Sequence, residues 1–218
     1  MPRFNARSNF ALLPLPAKAD QAEEDQSEDI DPPDDGEGLP RPIVVKVTAR
    51  RLAGLREATE ALEQLPQPGE SLHVVSTARL DLTDTLAALI TKLGSVLDLR
   101  IATLGYNPAN LRAMLTWLDE GSVKKIALVS SLFFRAHKRG LWEDTLREFH
   151  LRKQRAACCH SHSKVITLHF HSGTKLSIEG SANLCGNGSA REQFAIIHDV
   201  DLCSWHSSWI EALGSKHW

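Results

Sequence analysis

Two short strands and a polar turn are encoded by residues 162–183, which read HSKVITLHFHSGTKLSIEGSAN. The runs 165–170 and 175–179 are rich in apolar and β-branched residues and are separated by a segment with a glycine, which is typical of a β-hairpin. His162 and Lys164 precede the first run with a spacing of two. Side chains two residues apart on an extended segment point to the same side. This imidazole and this ammonium group are therefore predicted to lie together.

A polar turn follows the second strand at 180–183, and Glu192 follows that turn. Amide and hydroxyl donors in such a turn can bind the same anion as the ammonium group of Lys164, and Glu192 can accept a hydrogen bond from the His162 imidazole. A phosphodiester is an anion, and attack on it requires charge neutralisation and an in-line nucleophile. The set of residues therefore predicts phosphodiester cleavage with His162 as nucleophile and with no metal or other cofactor.

Each of these residues also has a structural interpretation. His162 and Lys164 could form the solvated edge of a hairpin, and Gly180, Ser181 and Asn183 are residue types that favour turns. Taken one at a time, the structural interpretation is the better one. The ordered set of five, on a strand–turn–strand frame, favours a site.

The ordered set resembles the phospholipase D superfamily, whose signature is His-x-Lys-x4-Asp, then Gly-Ser or Gly-Gly, then Asn, then a downstream Glu or Gln. The resemblance is strongest over residues 156–199 and extends more weakly back to about residue 71. One position departs from the signature, because His169 stands where most members carry the Asp. The tyrosyl-DNA phosphodiesterase branch of the superfamily also lacks this Asp and is active.

The resemblance implies a role for each matching residue. His162 would attack phosphorus to give a phosphohistidine, while Lys164 and Asn183 hold the non-bridging oxygens and Glu192 orients the imidazole. Ser181 and Gly180 would contact the substrate. A second His must protonate the leaving oxygen. Since the chain carries a single motif, the resemblance implies a homodimer with a shared site.

The arrangement of predicted elements indicates an α/β fold. Strands and helices alternate up to about residue 155, and a cluster of strands follows, which predicts a phospholipase D-like mixed sheet flanked by helices. Ser76, at a predicted strand end, is a further candidate for substrate contact. Strands are predicted at 43–47, 71–76, 97–104, 123–129, 156–160, 165–170, 175–179 and 194–199. Helices are predicted at 50–65, 82–93, 108–121, 133–155 (with a possible break at Gly140) and 204–213.

Charge divides the chain into two parts. Residues 1–37 carry three basic and ten acidic residues, for a net charge of −7, and the remainder carries 22 basic and 17 acidic residues, for +5. We expect residues 1–40 to be a disordered acidic tail, because the stretch 20–38 is acidic, has no aromatic residue and cannot bury enough apolar surface to offset its ordering entropy, and we expect residues 41–218 to form the catalytic domain. The basic domain suits a polyanionic substrate. Since no secretory signal or transmembrane stretch is evident, we expect a cytoplasmic protein with no stable membrane association.

Two other clusters compete with this interpretation. Cys158, Cys159, His160 and His162 are potential zinc ligands, but the paired cysteines are better explained as buried apolar residues, because no Cys-x-x-Cys pair exists. The tryptophans near the C-terminus, Trp205, Trp209 and Trp218, fit one helix face that packs on the core or on a partner, with base stacking as the alternative. No metal site is predicted.

The sequence thus predicts a metal-independent phosphodiesterase, with DNA as the favoured substrate. Two alternatives stay open. One is a phospholipid hydrolase or transferase, and the other is a catalytically inactive relative that binds nucleic acid or docks a partner, which His169 at the Asp position and the acidic tail would fit.

Overall fold

A nine-stranded mixed sheet organises the part of the chain that the structure, a computed structural model, describes: residues 43–45, 49–53, 62, 64–76, 82–185 and 192–215. The predicted acidic tail, residues 1–40, lies outside these ranges. The sheet order is β1-β2-β3-β9-β8-β7-β4-β5-β6. The strands are β1 (Ile43–Val45), β2 (Ala49–Ala53), β3 (Ser71–Ser76), β4 (Val96–Ala102), β5 (Ile126–Ser131), β6 (Arg155–Cys159), β7 (Val165–Phe170), β8 (Lys175–Gly180) and β9 (Glu192–Ile197).

Five described helices cover the two faces of this sheet. They are α1 (Leu82–Leu93), α2 (Pro108–Asp119), α3 (Leu132–His137), α4 (Arg139–Leu151) and α5 (Val200–Ser215). The main core joins Leu86, Met114 and Phe149 of the first four helices to Ile101 of β4. A smaller core joins Ile210 of α5 to Ala102, the next residue of β4. Because neighbouring strand residues point to opposite faces, α5 covers the face opposite to α1–α4. The predicted α/β class with a helix-flanked mixed sheet is confirmed.

Local sequence explains several boundaries. Asn107 forms a capping box with Asn110 at the start of α2, where Pro108 occupies the first turn. Gly94 ends α1 with a φ of +90°, a left-handed conformation that a residue with a side chain adopts only at a cost. The predicted bounds of β3, α1 and β7 agree with the structure at both ends.

Two predicted helices are corrected by the structure. The helix expected at 50–65 is wrong at its start, because residues 49–53 form β2, which pairs in parallel with β3. The helical spacing of leucines in this segment predicted a helix, but residues 49–53 pair instead with the edge of β3, a contact that local sequence does not show. The helix expected at 133–155 is two helices, α3 and α4, which meet at Lys138.

The C-terminal tryptophans do not share one buried face. Trp205 on α5 is 63% exposed, so it does not pack on the core, while contact with a partner and base stacking stay predictions. Trp209 is half-buried and donates from its indole nitrogen to Nδ1 of His206, at 2.8 Å. Trp218 lies outside the described residues.

Candidate active site

The link from β6 to β7, residues 160–164, runs along the side of the sheet where β4, β5 and β6 end, which is called the carboxyl edge below. It leaves β6 at Cys159, which pairs with Ser131 at the end of β5, and enters β7 at Val165, which pairs with Ala102 at the end of β4. Because β4, β5 and β6 are mutually parallel, the link runs past their carboxyl ends. Ligand sites of open α/β sheets collect at this edge.

His162 and Lys164 lie together on this link. Nζ of Lys164 is 3.1 Å from Nδ1 of His162, and it also donates to the His162 carbonyl oxygen at 3.3 Å. His162 is exposed and Lys164 is half-buried. The predicted juxtaposition of the imidazole and the ammonium group is thus present, and the imidazole is open to a molecule approaching from solvent.

Strand pairing brings Ser181 and Glu192 together. The backbone N–H of Ser181 donates to the Gln193 carbonyl at 2.8 Å, and the Gln193 N–H donates to Oγ of Ser181 at 3.0 Å. The Ser181 hydroxyl in turn donates to the Glu192 carboxylate. Glu192 is the first residue of β9, whose start was predicted at Phe194. The structure therefore joins Glu192 to Ser181, and the expected hydrogen bond from His162 to Glu192 stays a prediction.

Asn183 presents an unpaired polar atom. Its Oδ1 is buried and has no hydrogen-bond partner among the described residues. A buried amide oxygen left unpaired costs about 1–3 kcal/mol, so such atoms call for an explanation. This oxygen is an acceptor, so a phosphate, which offers only acceptor oxygens, would bind the amide nitrogen of Asn183 and not Oδ1.

A small apolar hollow connects the two motifs. Lys164 lines it together with Gly180 and Ala182 of the polar turn, and its other walls are apolar side chains, including Ile166 and Leu184. The stem of Lys164 can pack on this floor while the ammonium group remains at the rim. The His-x-Lys segment and the polar turn, separate in sequence, therefore meet at one place.

Gly180 has a packing role whether or not it touches a substrate. A Cβ at this position would lie 2.1 Å from the Gln193 carbonyl oxygen and 2.6 Å from Cα of Phe194. Only glycine lets β8 and β9 approach this closely. Ser76, the last residue of β3, pairs in register with Glu192, which places it at the same edge. Substrate contact by Gly180, Ser181 and Ser76 stays a prediction.

His169 lies on the other face of the sheet. Its Nε2 is 3.0 Å from Oγ of Ser207 on α5, and Ser207 also donates to Thr167 at 3.0 Å. Burial lowers the pKa of His169 below its ordinary value. The residue at the Asp position of the signature thus belongs to the contact between the sheet and α5.

The neighbouring cysteines behave as apolar residues. Cys158 and Cys159 are both buried, and burial raises the pKa of Cys158 to about 12 and that of Cys159 above its ordinary value. A thiol binds zinc as a thiolate, which such burial disfavours. Within the described ranges, no three His, Cys, Asp or Glu side chains are arranged to hold a metal ion.

Sequence reasoning missed the short helix α3 at this edge. It begins directly after Ser131, the register partner of Cys159, and packs against β5 and β6. The prediction of one long helix from Phe133 concealed it. The signal was the run FFRAHKR at 133–139, in which aromatic and basic residues follow a serine cap.

Comparisons with known proteins give structural similarities only. No family model and no curated protein matches the chain. The chain is similar to a phospholipase D family member. This is Nuc from Salmonella typhimurium, with a TM-score of 0.48, 12% identity, and coverage of 66% of this chain and 93% of Nuc.

Two further solved structures are similar over comparable parts of the chain. NucT from Helicobacter pylori has a TM-score of 0.43 and 15% identity, with 66% of this chain and 95% of NucT covered. Phosphatidylserine synthase from Haemophilus influenzae has a TM-score of 0.48 and 13% identity, with 70% of this chain covered but 40% of the synthase. The function proposed below rests on the residues of the site and not on these similarities.

Proposed function

We propose that this chain is a phosphodiesterase that uses His162 as its nucleophile and needs no metal. One observation carries the proposal: Nζ of Lys164 lies 3.1 Å from Nδ1 of the exposed His162, at the carboxyl edge of the parallel strands. In support, Lys164 lines a hollow together with Gly180 and Ala182 of the polar turn, and the amide nitrogen of Asn183 in the same turn is a donor for a phosphate oxygen. Together these groups offer a nucleophile, a cation and an amide to one phosphate.

The resting contact between the two side chains suggests how the nucleophile is prepared. In a neutral imidazole one ring nitrogen accepts and the other carries the proton, so if Nδ1 accepts from the Lys164 ammonium group, Nε2 carries the proton. A phosphodiester at the rim would draw Lys164 to its own non-bridging oxygen. Nδ1 can then carry the proton, and the lone pair on Nε2 becomes available for attack. Glu192 is the proposed acceptor for that Nδ1 proton.

The reaction then proceeds in two balanced steps. In the first, a bond forms between Nε2 of His162 and phosphorus, the bond to the leaving oxygen breaks, and that oxygen takes a proton from a second histidine. In the second, this histidine, now neutral, takes a proton from water, whose oxygen displaces Nε2 from phosphorus. Lys164 and Asn183 hold the non-bridging oxygens in both steps.

The second histidine is proposed to be His162 of another copy of the chain. The chain carries one His-x-Lys motif, and the exposed position of His162 leaves it open to such a partner. A twofold axis next to the site would supply nucleophile and general acid from the same residue, one copy neutral and one protonated.

DNA is the proposed substrate, on the basis of the net charge of +5 that follows the acidic segment. A cytoplasmic location is part of the proposal, and the buried thiols of Cys158, Cys159 and Cys203 support it, since thiols persist in a reducing compartment. None of the described helices has the length and apolarity needed to cross a bilayer. The alternatives are a phospholipid hydrolase or transferase and an inactive nucleic-acid-binding protein.

One experiment separates these functions. Purified protein is incubated with labelled DNA, RNA and phospholipid in excess chelator, alongside the His162→Ala variant. We expect DNA cleavage that survives chelation and is lost in His162→Ala. His171→Ala is the matched control, because His171 is also exposed but lies beyond the far end of β7. Activity that disappears with chelator and returns with zinc or magnesium would contradict the proposed mechanism.

A further inference from the structure

Helix α3 presents one aromatic ring to solvent and buries the next. Phe133 is 62% exposed, whereas Phe134 is 5% exposed and its ring centroid lies 4.3 Å from that of Tyr106. The helix start is also fixed, because Oγ of Ser131 accepts from the Phe134 N–H at 2.9 Å. Phe134 and Ser131 therefore anchor the helix, and Phe133 projects from a rigid support.

The exposed ring is itself ordered. Its centroid lies 3.9 Å from that of His137, one turn later, with an interplanar angle of 31°. Nδ1 of His137 is in turn 2.9 Å from the Phe133 carbonyl oxygen. An aromatic ring held in this way loses little conformational freedom when a flat ligand stacks on its open face.

The segment that carries this ring is basic. The segment 132–140 contains three basic residues, Arg135, Lys138 and Arg139, and no acid. Arg139 pairs with Glu143 at 2.7 Å, while Arg135 and Lys138 are exposed and form no ion pair with the residues that the structure describes. Arg135 and Lys138 thus offer two cations to a ligand that also contacts the ring.

This surface lies close to the candidate site. Phe133 is two residues beyond Ser131, and His162 is three residues beyond Cys159, the register partner of Ser131. With about 4.8 Å between strands and at most about 3.6 Å per residue, the Cα atoms of Phe133 and His162 are within roughly 23 Å of each other. A single strand of a few nucleotides can contact both places.

We propose that α3 binds a single-stranded nucleic acid beside the candidate site, with a base stacked on Phe133 and phosphates on Arg135 and Lys138. The assignment rests on the proposed phosphodiesterase function, for which it names the substrate class. Bases of a duplex are stacked on each other and cannot offer a face to a side chain, so the surface selects single strands. A lipid surface fits less well, because insertion requires a broad apolar face and α3 exposes a single ring.

Binding is measured on the His162→Ala protein, which cannot turn over the ligand, by fluorescence anisotropy with a labelled oligothymidylate of about 12 nucleotides, within the range of known single-strand sites. Adding Phe133→Ala is expected to weaken binding about tenfold, as for loss of one stacked base, and Phe133→Trp is expected to preserve it. Trp205→Ala is the matched control, since Trp205 is 63% exposed on the opposite helical layer, and it should leave affinity unchanged.

The cations are tested by salt dependence. Replacing Arg135 and Lys138 by Ala should reduce the slope of log affinity against log salt by about 0.7 for each phosphate of a single strand that the protein no longer neutralises. Equal affinity with and without Phe133, or the same weakening on a duplex of equal length, would overturn the proposal. So would a Phe133→Ala effect confined to anionic phospholipid vesicles or to the oligomeric state.

The proposed function is tested separately by hydrolysis of bis(4-nitrophenyl) phosphate by the unaltered protein in chelator. Binding that depends on Phe133 without any hydrolysis would refute the enzyme and keep the single-strand surface, as an inactive nucleic-acid-binding protein. Hydrolysis without Phe133-dependent binding would keep the proposed enzyme and refute the single-strand surface.

Discussion

Replacing Lys164 by Met tests the candidate site at its central contact. The ammonium group lies 3.1 Å from Nδ1 of His162, and the aliphatic stem lines the apolar hollow beside the polar turn. Methionine keeps a flexible apolar chain of similar length on that floor and removes the charge. The substitution therefore separates the chemistry of Lys164 from its packing.

The expected loss follows from what the ammonium group would do in the transition state. A preorganised donor to a developing phosphoryl charge contributes about 2.7–4 kcal/mol, so kcat for DNA or bis(4-nitrophenyl) phosphate should fall about 10²- to 10³-fold. Because the half-buried stem is replaced by one of similar volume, the unfolding free energy should change by less than about 1.5 kcal/mol. The measurements are steady-state kinetics in chelator and urea denaturation.

Lys175→Met is the matched control. Lys175 is also half-buried, but its Nζ donates to Oγ of Ser204 on α5, at 3.2 Å, on the opposite face of the sheet. This variant should retain full turnover. Full activity in folded Lys164→Met, or an equal loss in both variants, would refute the assignment of Lys164 to the site.

Three further predictions concern packing, pH and assembly. Gly180→Ala should lower the unfolding free energy, measured in urea, by about 1–3 kcal/mol, because its Cβ would meet the neighbouring strand backbone. Gly140→Ala is the control and should not destabilise, because its Cβ meets nothing within 4 Å. Equal effects of the two variants would contradict the packing role of Gly180. Since burial lowers the pKa of His169 from 6.5, the unfolded chain binds its proton first, so stability should fall as the pH drops below about 6.5. His169→Asn should reduce this fall, measured as the difference between the urea midpoints at neutral and acid pH. An unchanged difference would mean that another group causes the loss of stability in acid. Mixing His162→Ala with unaltered protein should reduce activity faster than the fraction of variant added, if the site is shared; a linear fall in the titration would mean that one chain builds a complete site.

Strong local patterns made much of the fold predictable. β7 and α1 have the expected bounds, since alternation or helical periodicity runs unbroken through each and a turn residue ends it. Residues 49–53 could not be assigned this way, because their strand exists by pairing with β3, a contact that their own sequence does not encode. The break at Lys138, which separates α3 from α4, has no glycine or proline at that residue to announce it.

The candidate site was predictable in its members more than in its contacts. That His162, Lys164, Ser181 and Asn183 form one site stays a prediction, but their order on either side of β7 and β8 was enough to predict that Lys164 meets the turn at Gly180. Sequence could not show that Ser181 donates to the Glu192 carboxylate, because this contact depends on where β9 begins. Nor could it separate Phe133 from Phe134, since the orientation of neighbouring helical residues depends on what lies beneath the helix.

The geometry of β7 also bears on the departure at His169. Lys164 shares the hollow with Ile166, whereas Thr167 and His169 contact Ser207 on α5. His169 stands five positions after Lys164, and an odd spacing along an extended segment places two side chains on opposite faces. His169, at the Asp position of the signature, therefore contributes to the contact with α5 and does not line the hollow beside Lys164. It follows that Lys164 variants should alter turnover and His169 variants stability, so that the two sets of measurements are independent.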